Sequence, residues 1–206
     1  MSQIKLLHSG GNGVIIAAPD SNPASDRTLK LPSDGDGTIL TTNSSVGKIL
    51  QVVQTVKTDT FSQSINDSTY SNDTGLNVTI TPSSNSNKVR LTGSVVVAMD
   101  ADNDGIGIVL FKGGSVVSQA LGDSSGNRTP CMSMSFVESY GGECRCLPFD
   151  FLDSPATTSA TTYGIRLLFF SGSSSTTIYM NRSQSSDNNI YRPLSISTIT
   201  ATEVAA

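Results

Sequence analysis

Leu76, Val78 and Ile80 alternate with Asn77, Thr79 and Thr81, and a repeat of two leaves the backbone few options. It sets the three apolar side chains on one face of a pleated strand and the three polar ones on the other. Upstream, residues 49–57 (ILQVVQTVK) are β-branched and half polar. Downstream, residues 88–99 alternate and then become continuously apolar through Val95, Val96 and Val97. Pro82 cannot donate to a ladder, so residues 82–87 are expected to turn the chain back into that last strand. Together these stretches predict a half-buried sheet with no reactive group of its own.

The rest of the chain continues in the same manner. Lys112-Gly113-Gly114-Ser115 reads as a tight hairpin turn with a return strand over 116–121. Met132, Met134 and Phe136 alternate, as do Phe149 and Phe151, and then Tyr163, Ile165, Leu167 and Phe169, followed by Ile178 and Met180; large apolar side chains at this spacing are expected in a core. Residues 61–72 read as a polar loop carrying one short strand around Tyr70. Residues 194–204, rich in Ser, Thr and Ile, form a last strand with two semi-polar faces, which suits a central or inter-subunit position. Turn signals recur at about the spacing of a jelly-roll-like antiparallel β-sandwich. With 15% charged residues and no Trp, helical bundles and coiled coils are not expected.

Residues 1–46 differ from 47–206. Their apolar runs, at residues 4–7, 14–18, 29–31 and 38–42, are short and separated by Gly and Pro. Each is too short to fold alone, so the segment is expected to be extended and to bury Leu29, Leu31 and Ile39 against copies of itself around a three-fold axis. A flexible linker is the alternative. The glycine-rich stretches GGNGV and GDGTI lack both a strand-to-helix setting and a phosphate-binding Lys, so they do not suggest a nucleotide cradle.

Two stretches carry a resemblance. LQVVQTVKTDTFS with TGLNVTITPSSNSNKVRLTGSV, and TIYMNRSQSSDNNIYRPLSISTITATEVAA at the other end, resemble the first and last strands of a β-sandwich knob found in tail-fibre and other virion proteins of bacteriophages, marine and cyanobacterial phages especially. The most specific parts are the ITPSS turn and the STIT-xx-EV ending. TLKLPSDGDGTILTT is similar to segments of phage fibre shafts. The resemblance implies a homotrimeric virion appendage whose N-terminal segment joins other virion proteins and whose knob meets a host-surface glycan or protein. It implies no cofactor and no catalytic residue. A capsid-decorating fibre or head protein without a receptor role is the alternative.

The charges agree with that expectation. A net charge of −4 and a pI near 4.8 give no basic patch for nucleic acid or anionic lipid. No stretch approaches about 18 apolar residues and no signal sequence opens the chain, so synthesis in a host cytoplasm and a place in the virion are expected, without export or membrane insertion. The single histidine, His8, and the lack of a G-x-S-x-G elbow argue against a serine hydrolase. Glu138, Glu143, Asp150 and Asp153 are close enough in sequence for a glycan-degrading pair, but alternation turns Asp150 to solvent, and an enzyme is not expected. Residues 100–105 (DADNDG) begin like a calcium loop, but Phe111 stands where its closing Glu belongs, so an Asp/Asn hairpin loop is expected. Cys131, Cys144 and Cys146 are expected as free thiols; with a turn at Gly141-Gly142, Cys144 and Cys146 would face Ser139 and Val137, too far from Cys131. Zinc lacks a second pair of ligands.

Receptor contact is expected on loops at the free end of the sandwich, at 100–105, 123–128, 140–145 and 184–191. Saccharides are commonly held by an aromatic face beside amides and carboxylates. Tyr140 with Glu143, and Tyr191 with Asn188 and Asn189, are the candidates of that type.

Overall fold

The computed structural model describes residues 3–7, 9–11, 13–17, 48–100, 104–137, 143–170, 175–192 and 194–206. Leu29, Leu31, Ile39 and Tyr140 lie outside them. The chain divides into two units, Met1–Asn43 and Ser44–Ala206. In the first, β1 (Gln3–Leu7) and β2 (Gly13–Ala17) pair antiparallel. Gly11, at φ 93°, takes the left-handed conformation in the turn between them.

The second unit is a β-sandwich. Its first sheet holds β3 (Ile49–Lys57), β4 (Phe61–Asn66), β6 (Lys88–Met99), β10 (Arg145–Asp153), β12 (Ser175–Met180) and β13 (Ser197–Val204). The second holds β5 (Asn77–Ile80), β7 (Asp104–Lys112), β8 (Ser115–Val116), β9 (Ser133–Val137) and β11 (Thr161–Phe170). β6 spans about 40 Å at ~3.4 Å per residue and organises the first sheet. β10 runs along one edge, while β13 takes residues 88–94 and β12 residues 97–99 of the other.

The core lies between the sheets as the alternation requires. Leu76, Val78 and Ile80 are buried with Tyr163, Ile165, Leu167 and Phe169, against Val89, Leu91, Val95 and Val97 of β6. A second cluster, Val109, Phe111 and Leu168, lies on the outer side of the second sheet. It is covered by residues from Val116 to Cys131 and by Tyr70, whose ring meets that of Phe111 edge-on at 5.6 Å. This cover explains why β7 is apolar on both faces. The expected last strand is central: β13 sits between β3 and β6, with Ser197, Ile199, Ala201 and Glu203 inward.

Several local expectations change. The polar stretch 61–72 holds its strand at Phe61–Asn66, paired with β12, and Tyr70 makes only a single bridge to Leu168. The return strand after the Gly113-Gly114 turn stops at Val116 and gives way to a 3-10 turn over Ser118–Ala120. The expected hairpins at 100–105 and around Gly141-Gly142 are crossings, because β6 and β10 lie in the first sheet and β7 and β9 in the second. Cys146 therefore stands opposite Val96 of β6, not Val137. All three cysteines are free.

Glycines at two strand interiors admit an aromatic ring. Gly93 stands opposite Phe149 in the ladder, and a Cβ there would lie 2.1 Å from the Thr198 carbonyl oxygen and 2.7 Å from the ring. A backbone oxygen cannot yield as a side chain can. Gly93→Ala should therefore destabilise the sandwich by about 2 kcal/mol, read as a lower urea midpoint; an unchanged midpoint would show that β13 moves aside freely.

Candidate functional site

The sandwich has two dissimilar ends. At one, the chain enters and finishes: Ile49 and Lys88 both stand opposite Val204, and the Ala205 amide donates to the Lys48 carbonyl at 2.9 Å. At the other, every neighbouring connection crosses from sheet to sheet. The chain leaves β6 there after Met99 and enters β7 at Asp104, leaves β9 after Val137, and leaves β11 after Phe170. Asp104 stands opposite Val137, and Gly105 opposite Phe170. Ser68, just beyond β4, donates its amide to the Phe169 carbonyl at 2.9 Å. Asp100, Asp104 and Gly105, and residues 143–145, thus share this far end, about the length of β6 away from Lys48, while the remainder of the 100–105 and 140–145 loops lies outside the described residues.

A cleft of about 540 Å³ opens at this end, lined by Asp67, Ser68, Asp104, Arg128, Phe136 and Phe170 among others. Residues 127–129 contribute to it, so the 123–128 loop belongs to the same region. Its apolar wall comes from an unexpected quarter. Met134 and Phe136 are 41% and 56% exposed instead of buried, because β9 turns Ser133, Ser135 and Val137 inward. Phe136 and Phe170 both lie level with Gly105, their ring centroids 6.3 Å apart and the planes at 89°. A Cβ on Gly105 would come within 1.9 Å of the Phe170 ring, so the glycine is what lets that ring lie across the strand. Carboxylates of Asp67 and Asp104, the Arg128 guanidinium and the hydroxyls of Ser68 and Thr129 rim the wall. An aromatic wall beside such groups can take the apolar face of a sugar ring and hydrogen-bond its hydroxyls.

The 184–191 loop belongs elsewhere. It leaves β12 at Asn181 and returns to β13 at Ser197, and both residues bond to Val96, within β6. It therefore sits on the flank of the sandwich. Asn188 and Asn189 line a second cleft of about 410 Å³ with Arg182, Asp187 and Arg192. Tyr191 is 80% exposed; its amide donates to the Asn189 Oδ1 at 3.0 Å. Arg182 lies over the Tyr179 ring at 4.7 Å. Burial raises the pKa of the Cys144 thiol while the Arg192 charge opposes this, so the flank loop approaches the start of β10.

Other sequence candidates are occupied by structural contacts. Glu143 is 18% exposed and forms an ion pair with Arg145. Asp150 is exposed, as its alternation requires, and accepts from the Nε and Nη2 of Arg90, one on each carboxylate oxygen. Asp153 is buried, bonded to Lys112 at 2.9 Å and accepting from the Tyr163 hydroxyl at 2.5 Å. Burial, that hydrogen bond and the Asp153 charge push the Tyr163 pKa up. Asp100, first residue of the calcium-like stretch, accepts from the Tyr179 hydroxyl at 2.8 Å. Among the described residues no three His, Cys, Asp or Glu side chains converge for a metal.

The two motifs that carried the resemblance meet in space. Glu203 of the STIT-xx-EV ending is 1% exposed and accepts from the Ser83 amide and hydroxyl of the ITPSS turn at 2.7 and 2.8 Å. Asn87 and Gln51 each donate to it at 2.6 Å. Burial works against the charge, but these four donors outweigh it and lower the pKa from 4.5 to about 2. The cluster pins the 82–87 turn at the end where the chain enters, and is structural.

The sequence matches no family model and no curated protein. Among solved structures, that of infectious bursal disease virus, Gx strain, is similar at a TM-score of 0.40 and 11% identity, over 94% of this chain and 49% of that one. The VP2 subviral particle of the same virus gives 0.37 and 13%, over 76% and 37%. The Gt strain gives 0.39 and 14%, over 95% and 48%. The chain thus spans half or less of the length of these viral chains, and likeness of this degree carries no argument about function.

Proposed function

We propose that this chain is a virion structural protein, a homotrimeric tail-fibre or appendage subunit whose sandwich contacts the host cell surface at its far end. The observation that carries this reading is the polarity of the sandwich. The chain enters beside Glu203 and Ser83, where the resemblance to phage fibre knobs is concentrated, and the exposed Phe136 wall with its polar rim lies at the opposite end. An N-terminal segment bound to other virion proteins would present that end outward. The proposal includes no catalysis: Glu143, Asp150 and Asp153 are each held in an ion pair. A capsid-decorating role is the second reading, since the same sandwich could sit on a head.

The test is adsorption competition. Purified chain should slow attachment of the parent phage to its host, and Phe136→Ala should weaken the block by about tenfold or more, as for a binding hot spot. Tyr191→Ala on the flank should change it less. If the wild-type chain never competes, and labelled antibody marks heads instead of tails, the decorating role replaces host contact. Absence of the chain from purified particles would end both readings.

A further inference from the structure

The flank cleft differs from the far-end cleft in its charge. Arg182 and Arg192 line it, both half-buried, and the carboxylate that stands with them, Asp187, is exposed. Among the described residues neither guanidinium forms an ion pair with Asp187 or with any other carboxylate, whereas Arg90 and Arg145 are both paired. The cleft lining thus carries one more positive charge than negative, on a chain whose net charge is −4. Two guanidiniums in one cleft repel one another, and an anion between them offsets both the repulsion and the hydration they have lost.

Arg182 is fixed in place without a ligand. Its Nε donates to the Ser183 carbonyl at 3.0 Å and its Nη2 to the Gln184 carbonyl at 2.9 Å, while the guanidinium lies 4.7 Å over the Tyr179 ring. A guanidinium carries more N–H donors than these two bonds use. Arg192 is held by its backbone instead. Its amide donates to the Asn189 carbonyl at 2.9 Å, and its side chain makes no hydrogen bond among the described residues. The loop between the two closes on itself, the Asn189 amide donating to the Asp187 carbonyl at 2.8 Å and the Tyr191 amide to the Asn189 Oδ1 at 3.0 Å. Asn188, Asn189 and Ser186 complete the wall beside the two arginines. Groups held in this way lose little freedom when a ligand arrives.

From the two carboxylate-free guanidiniums and the amide-lined wall together, we infer that the flank cleft binds an acidic sugar, a uronic acid held by its carboxylate. One surplus positive charge matches a monoanion. A phosphate brings nearly two negative charges and would set the second against Asp187. The planar fork of a guanidinium fits a planar carboxylate through two parallel N–H···O bonds. The amides of Asn188 and Asn189 and the Ser186 hydroxyl both donate and accept, as the hydroxyls of a sugar ring require and a bare carboxylate does not. Nucleic acid is disfavoured, because the remaining charge of the chain repels a polyanion. The inference does not rest on host contact at the far end, since this loop leaves and rejoins the sandwich on its flank.

Titration calorimetry on the full chain provides the test, with galacturonate as the probe and galactose, acetate and inorganic phosphate as its companions. Adsorption competition reads the far end separately, so either site can fail without the other. Galacturonate should bind with a Kd on the order of 1 mM, as suits a ligand of its size, and about tenfold or more tightly than galactose or acetate. Arg192→Gln removes a side chain that bonds to nothing else among the described residues, so it should weaken galacturonate about tenfold while leaving the fold intact by circular dichroism. Asp187→Asn removes the opposing charge and should strengthen galacturonate about threefold, a gain that no folding defect can produce. Absence of galacturonate binding well above that concentration, or an unchanged Kd in Arg192→Gln, would overturn the inference. Acetate binding as tightly as galacturonate would overturn it by showing carboxylate capture without a sugar. Phosphate binding more tightly than galacturonate would overturn it in favour of a phosphate site.

Discussion

Glu203→Ala is expected to destabilise the sandwich by about 3 kcal/mol, since it strips a common acceptor from four donors at a site with little access to water. For a domain of this size that corresponds to a fall in Tm of about 10 °C. The same carboxylate gives the stability an acid dependence. Its folded pKa, about 2, is below the usual 4.5, so the native state holds the charged form more tightly than the unfolded chain does. The contribution is fully present above pH 4.5 and is lost as pH falls through about 2. A shift of this size is worth about 3 kcal/mol at neutral pH. Glu203→Gln, which cannot ionise, should lower the urea midpoint at pH 7 and flatten its change between pH 5 and pH 2. If the variant keeps the wild-type midpoint at pH 7, the turn at 82–87 is held by something else.

Asn181→Ala should have an effect of similar size by another route. Asn181 is fully buried with φ at 63°, at the point where β12 leaves the edge of β6 and β13 takes over. Its amide donates to the carbonyls of Lys57 and Asp59 at 2.9 and 3.0 Å, and its Oδ1 accepts from the Ser197 hydroxyl at 2.6 Å. The Ser197 oxygen accepts in turn from the Val96 amide. Alanine removes three bonds, leaves the carbonyl of the buried Lys57 without this donor and must hold a left-handed backbone, at a combined cost of about 3–4 kcal/mol. Asn181→Gly relieves the backbone component and should recover about 1 kcal/mol of that loss. Equal midpoints for the Ala and Gly variants would show that the left-handed turn carries no strain.

Period two in the sequence determined which side chains share a face. Leu76, Val78 and Ile80, and Tyr163 to Phe169 in alternate positions, are buried together, and Asp150 is turned to water, because the pleat leaves no other arrangement for residues two apart. Gly113 and Gly114 marked their hairpin for an equally local reason: both adopt positive φ. What lies opposite a face is not local. Alternation in Met134 and Phe136 was visible, but Ser on the other parity has no charge to oppose burial, so only the neighbours of β9 decided that the large side chains face out and wall the far-end cleft. Asp100 to Gly105 looks alike as a hairpin or as a crossing; the choice depended on β6 and β7 belonging to different sheets. Glu203 shows no pattern at all in sequence. Its acceptor role exists because antiparallel pairing carries β13 back beside β3 and β6, closing 120 residues of chain onto Ser83, and a contact between such distant residues is a property of the folded chain alone.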